Sequence, residues 1–181
     1  MTHRWIVTAL GKDRPGIVAG VTKVLYQLGC NLEDSAMTRL EGEFAIMLIF
    51  STPSTVTAPQ LRRAFQALER RSALAVHVKP LTTSETRAPQ KRSRAYLISI
   101  YGADRSGIVF RVSEALAKSR VNITDVHTHR SVGKGPSLYL LLLEVELSPQ
   151  QAPSSLEARL KRLAKQLQVE VSMRPSDASV L

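Results

Sequence analysis

Apolar and polar positions follow two rhythms along this chain, and the rhythms recur in the same order twice. Trp5 to Leu10 and Tyr96 to Tyr101 are apolar, β-branched or aromatic, which predicts strands. Pro15 suits the first turn of a helix, where its missing N–H costs nothing. Apolar residues then fall at helical spacing: Ile17, Val21, Leu25 and Leu28 in the first stretch, Ile108, Val112 and Leu116 in the second. Gly29 is placed to stop the first of these helices. Two further strands follow around a turn, Asn31 to Leu40 with Glu43 to Ser51, and Asn122 to Ser131 with Ser137 to Leu147. A second helix carries Leu61, Phe65 and Leu68 on one face, and its later counterpart carries Leu156, Leu160, Leu163 and Leu167. Last strands run from Ala73 to Lys79 and from Gln168 to Met173.

The order is βαββαβ, twice. That predicts an α+β protein of two tandem ferredoxin-like units, each a four-stranded antiparallel sheet with two helices on one face. The predicted domains are 1–81 and 95–174. Residues 82–94 are polar, contain Pro89 and read as a basic linker, and 175–181 read as a tail. A shift of 91 residues aligns the copies: Gly11 with Gly102, Asp13 with Asp104, Arg14 with Arg105, Gly16-Ile17-Val18 with Gly107-Ile108-Val109, Asn31 with Asn122 and Asp34 with Asp125. Farther on the register slips, and Val132 to Pro136 reads as a longer hairpin turn than Glu41-Gly42-Glu43.

Composition narrows the picture. The chain has 181 residues, 44% of them apolar, enough for two small cores. Its first residues lead into a strand pattern rather than an apolar signal segment. The longest apolar runs, Phe44–Phe50 and Leu138–Leu143, are too short to span a bilayer. One cysteine, Cys30, excludes an intrachain disulfide and a cysteine-based zinc site. These features lead to an expectation of a cytoplasmic protein. The net charge of +10 divides as +3 over residues 1–85, +4 over 86–94 and +3 over 95–181. The densest charge therefore sits in a short segment, which reads as a solvated linker in preference to a DNA-reading helix.

Chemistry concentrates at the repeated turn. The first amides of a helix lack intrahelical partners and lie at the positive end of its dipole. Gly16 and Gly107 have no side chain to block approach to them, so each turn could seat a carboxylate. Asp13 and Asp104 could cap the helix or offer a charge to an ammonium group. Asn31 and Asn122 can both donate and accept hydrogen bonds. A zwitterionic amino acid needs this set, although the same residues also make a purely structural turn.

The run Thr8-Ala9-Leu10-Gly11-Lys12-Asp13-Arg14-Pro15-Gly16-Ile17-Val18, followed by Gly29-Cys30-Asn31-Leu32-Glu33-Asp34-Ser35, resembles the ACT domain family of amino-acid-sensing modules. Two copies filling residues 4–174 resemble in particular the glycine cleavage system transcriptional repressors. The second copy departs from the pattern, with Ser106 for Pro15 and Thr124 for Glu33. The resemblance implies ligands seated where the strand-to-helix turn of one module faces a neighbour. It implies Asp13, Gly16, Ile17, Val18 and Asn31 as one set of site residues, and Asp104, Gly107, Ile108, Val109 and Asn122 as the other. It also implies a DNA-binding transcription factor as protein partner, with no direct contact to nucleic acid. Gly16 and Gly107 suit a small amino acid such as glycine or serine, and a homodimer is an open expectation.

Other signals are weaker. His127 and His129 share a strand face with Asp125, a spacing that can serve a metal but reads as a polar face. Glu144 and Glu146 alternate with Val145 and Leu147 as on a solvent-facing strand. No phosphate loop and no nucleophile–base set can be assembled, so no catalytic residue, cofactor or metal is expected and the chain reads as a non-enzyme. Two alternatives stay open: a ligand-free interaction module, and a weak nucleic-acid binder acting through the basic linker.

Overall fold

The computed structural model describes residues 3–82, 93–131 and 137–176. Most of the predicted linker, the turn at 132–136 and the tail from 177 onward lie outside the described residues. The chain divides into two compact units, residues 1–88 and 89–181, here called modules one and two.

Module one contains β1 (His3–Lys12), α1 (Ile17–Gln27), β2 (Asn31–Leu40), β3 (Glu43–Thr52), α2 (Ala58–Ser72) and β4 (Ala75–Pro80). Module two contains β5 (Arg94–Ala103), α3 (Ile108–Lys118), β6 (Asn122–Ser131), β7 (Leu138–Leu147), α4 (Pro153–Leu167) and β8 (Val169–Pro175). The sheets are antiparallel, in the orders β2-β3-β1-β4 and β6-β7-β5-β8. This is the predicted βαββαβ fold in both modules.

Period-two alternation explains which face is covered. Trp5, Val7 and Ala9 of β1 and Phe44, Ile46, Leu48 and Phe50 of β3 are buried, together with Ile17, Val21 and Leu25 of α1 and Leu61 and Phe65 of α2. Phe50 and Phe65 meet with ring centroids 6.4 Å apart. Module two repeats the scheme with Ile98, Ile100, Leu141, Leu143 and Val145 beneath Ile108, Val112, Leu116, Leu156 and Leu160. The central strands are the most apolar, while the edge strands β2 and β6 are almost wholly exposed.

Several local expectations change. The helices begin at Ile17 and Ile108, with Gly16 and Gly107 as N-caps, so Pro15 precedes the helix instead of lying in its first turn. Ala73 and Gln168 are left-handed C-caps of α2 and α4, so β4 and β8 start later than the apolar pattern suggests. Arg94 pairs with Leu147 as a strand residue of β5. Pro175, assigned to the tail by sequence, ends β8 opposite Tyr96. Gly29 does end α1: the amides of Gly29 and Cys30 turn back to the carbonyls of Tyr26 and Leu25 at 3.0 and 2.9 Å. The same motif ends α3, but there Arg120 takes the left-handed position, at φ 54°.

Candidate functional site

Each repeated turn is fixed from below by a close approach of backbone. A Cβ on Gly11 would stand 2.8 Å from Leu74 Cδ2 and 3.1 Å from the Ala73 carbonyl; one on Gly102 would stand 2.8 Å from Val169 Cγ1. Glycine is thus a packing requirement at the end of β1 and β5. The Asp13 amide donates to the Gly42 carbonyl at 2.9 Å and the Asp104 amide to Ser137 at 2.8 Å, which ties each turn to the neighbouring strand.

Above this base the turn is open. Gly16 and Gly107 adopt φ 91° and 92°, and a Cβ on either would meet nothing within 4 Å. Neither helix start receives a side-chain cap. Its first amides are therefore left to solvent or to a ligand, the condition that favours an anion. Ile17 and Ile108 turn into the cores, while Val18 and Val109 remain exposed beside the turn.

Asp13 and Asp104 do not cap. Arg39 Nη1 lies 3.1 Å from Asp13 Oδ2, and Arg130 Nη1 lies 3.7 Å from Asp104 Oδ2. Each arginine stands on the edge strand whose end borders the turn. The shift of 91 that aligns the aspartates also aligns Arg39 with Arg130, a signal the sequence reading passed over. Arg14 donates to the Ser72 carbonyl and Arg105 to Gln168 Oε1, so both arginines brace the turn against the end of the second helix.

The asparagines lie elsewhere. Asn31 pairs with Ser51, whereas Lys12 pairs with Glu43 at the opposite end of β3. That register sets Asn31 roughly 25 Å along the sheet from Asp13 of its own module. Asn122, opposite Glu146, is placed likewise. Asp13, Gly16, Ile17 and Val18 are brought together, as are Asp104, Gly107, Ile108 and Val109; neither group includes its own asparagine.

The two turns differ beside the helix. In module one a cavity of about 160 Å³ is lined by Arg14, Gly16, Ile17, Gly20, Leu68 and Ser72. In module two Arg111 replaces Gly20, and its guanidinium reaches across to Gln166 Oε1 at 3.0 Å.

The remaining candidates are simpler. His127 Nε2 lies 2.8 Å from Asp125 Oδ2 on an exposed strand. Among the described residues no three His, Cys, Asp or Glu side chains cluster as metal ligands. Burial pushes the Cys30 thiol up from its ordinary value, away from thiolate reactivity. No described helix is long and apolar enough to cross a membrane.

Comparison with known proteins agrees with this architecture. The sequence profile of the ACT domain matches residues 3–79 and again 94–174. The glycine cleavage system transcriptional repressor of Escherichia coli strain K12 is 26% identical over 174 residues, covering 94% of this chain and 89% of the repressor. A UPF0237 protein of Streptococcus mutans is 42% identical over 62 residues, 34% of this chain and 70% of that protein. A crystal structure of an unknown protein from Galdieria sulphuraria superposes with a TM-score of 0.80 at 23% identity, covering 97% of this chain and 99% of the other.

Proposed function

The chain belongs to the ACT domain family and has a regulatory role, and from that premise we propose that it responds to a small amino acid such as glycine or serine. The observation that carries this reading is the open, uncapped helix start at Gly16 with the 160 Å³ cavity beside it. That cavity is large enough for a ligand of a few heavy atoms. The carboxylate would take the first amides of α1, and the ammonium would share the Asp13 carboxylate with Arg39.

The module two turn would be the weaker seat, since Arg111 reaches across its flank. Asn31 and Asn122 are too far from their own turns to complete either site. They would instead serve the turn of a second chain, in a homodimer. Ligand binding would favour one arrangement of the protein, and a DNA-binding transcription factor would recognise that arrangement. The name of the Escherichia coli relative supports a role in transcription.

Thermal unfolding of the full chain against a panel of amino acids tests the reading. A ligand at 100 times its dissociation constant should stabilise the folded state by about 2.7 kcal/mol. The gain should vanish for Asp13→Ala. No stabilisation by any amino acid at millimolar concentration would leave a ligand-free interaction module as the function.

A further inference from the structure

We propose that the groove between α3 and α4 of module two binds a phosphate-bearing small molecule. A cavity of about 540 Å³ opens where the end of α3 meets the start of α4. Ser119, Gln151 and Ser155 line it with polar groups, Arg159 and Arg162 with charge, and Leu147 and Leu156 with an apolar floor; no carboxylate lines it. A second cavity of about 270 Å³ shares Arg159 and Arg162 and adds Arg111 and Lys118. Its carboxylate, Glu114, is committed to Lys118 at 2.7 Å. Arg159 Nη1 donates to Ser119 Oγ at 3.2 Å, which holds its guanidinium at the wall between the two cavities. The Glu114 carboxyl is held below its ordinary range by Lys118, with Arg111 and Arg159 adding to the effect.

Module one shows that the fold does not require these cations. Arg111 and Lys118 stand where module one has Gly20 and Gln27, and Arg159 and Arg162 where it has Ala64 and Ala67. The helix starts differ too. Thr57 and Gln60 close α2 with reciprocal hydrogen bonds, whereas Ala152 gives α4 no side-chain cap. Four cations around one paired carboxylate call for a multiply charged anion. Two guanidinium forks one helical turn apart suit the oxygens of a phosphate. The larger cavity falls in the size range of small-molecule sites. A nucleic acid would want aromatic stacking platforms, and none lines either cavity.

Calorimetric titration of the full chain with inorganic pyrophosphate and with ATP, at fixed ionic strength, tests the site. Binding of either probe supports it when Arg159→Ala with Arg162→Ala, the residues of module one, weakens binding by about tenfold or more. Pyrophosphate binding as tightly as ATP would mean that phosphate alone is read, and tighter ATP that the apolar floor contributes. Arg62→Ala with Arg63→Ala, an exposed pair on α2, should leave binding unchanged. Equal losses in both double variants would reduce the effect to general attraction by a basic protein and overturn the proposal. So would failure of both probes at millimolar concentration, or arginine-dependent binding of a polyglutamate peptide without either phosphate. Arg162→Glu, at an exposed position, gives the same reading if Arg159→Ala disturbs Ser119.

Discussion

The two modules give their strand-to-helix turns nearly the same backbone at the helix start and diverge in the layer of helices above. Gly16 and Gly107 differ by one degree in φ, and a Cβ on Gly11 or Gly102 would crowd Leu74 or Val169, each at or just before the start of its module's last strand. Between the helices, module one has Gly20, Ala64 and Ala67 where module two has Arg111, Arg159 and Arg162. The turn is held by close approach and by a left-handed residue, so it tolerates little change. The helix groove is bounded by half-exposed side chains and is free to acquire new chemistry. The difference separates what duplication preserves for folding from what each copy can use for binding.

The largest expected effects come from the cores, where the modules should behave alike. Leu48→Ala and Leu143→Ala each empty a fully buried position, and each should cost about 2–5 kcal/mol. The single tryptophan, Trp5, reports on module one. Urea titration followed by its fluorescence should shift strongly for Leu48→Ala. Equal shifts of that signal in both variants would show that the modules unfold as one cooperative unit.

Next come the turns. Gly16→Ala and Gly107→Ala add no clash but force alanine into the left-handed region, at a cost of about 1–2 kcal/mol. Gly16→Asn should cost less, because asparagine tolerates that conformation. Chemical denaturation of the four variants, including Gly107→Asn, should give matching pairs. A large excess for Gly16 alone would mean that the turns are less alike than their dihedral angles.

A smaller substitution separates stability from binding. Gly20→Ala puts a methyl group at ordinary contact distance from Leu68, 3.5 Å. It removes a helix-interior glycine and should stabilise module one by about 0.5–1 kcal/mol. It also narrows the 160 Å³ cavity, so amino-acid stabilisation should fall as basal stability rises. Thermal unfolding with and without ligand reads both quantities. If both rise together, the cavity is not where the ligand sits.

The sequence carried the fold well because period-two and period-3.6 patterns were repeated and agreed between copies. It carried the turn well because Gly-x-Asp-Arg-x-Gly is local. It misplaced what depends on distant pairing. Asn31 follows α1 directly in sequence, but the helix carries the chain back along the sheet, so the residue emerges at the far end from Asp13. Asp13 reads locally as either a cap or a charge for an ammonium group, and its ion pair with Arg39, twenty-six residues on, is invisible at that range. The cationic groove was hidden for the same reason. Its four cations belong to two helices about 40 residues apart, each an ordinary amphipathic pattern by itself. Charge in the linker is contiguous along the chain, whereas charge in the groove is gathered only when α3 and α4 pack.

The smallest expected effect is a pH dependence confined to one module. Glu114 and Lys118 form an exposed pair one turn apart on α3, and the corresponding residues of α1 are Lys23 and Gln27, with no carboxylate to titrate. The Glu114 carboxyl is held below its ordinary range, first by its hydrogen bond to Lys118 and then by Lys118's charge. A folded value below the unfolded one means that the stabilisation is present above the unfolded value. It is lost as pH falls through the folded value. Lowering pH through and below the ordinary glutamate range should therefore weaken the α3 pair. Exposure to water and salt keeps the effect small. Comparing the acid titration of the wild type with that of Glu114→Gln isolates it. The variant should lose that part of the acid dependence, and raising the salt concentration should shrink the difference between the two proteins. A difference that is unchanged at high salt would mean that Glu114 acts through something other than its charge on Lys118 and the arginines of the groove.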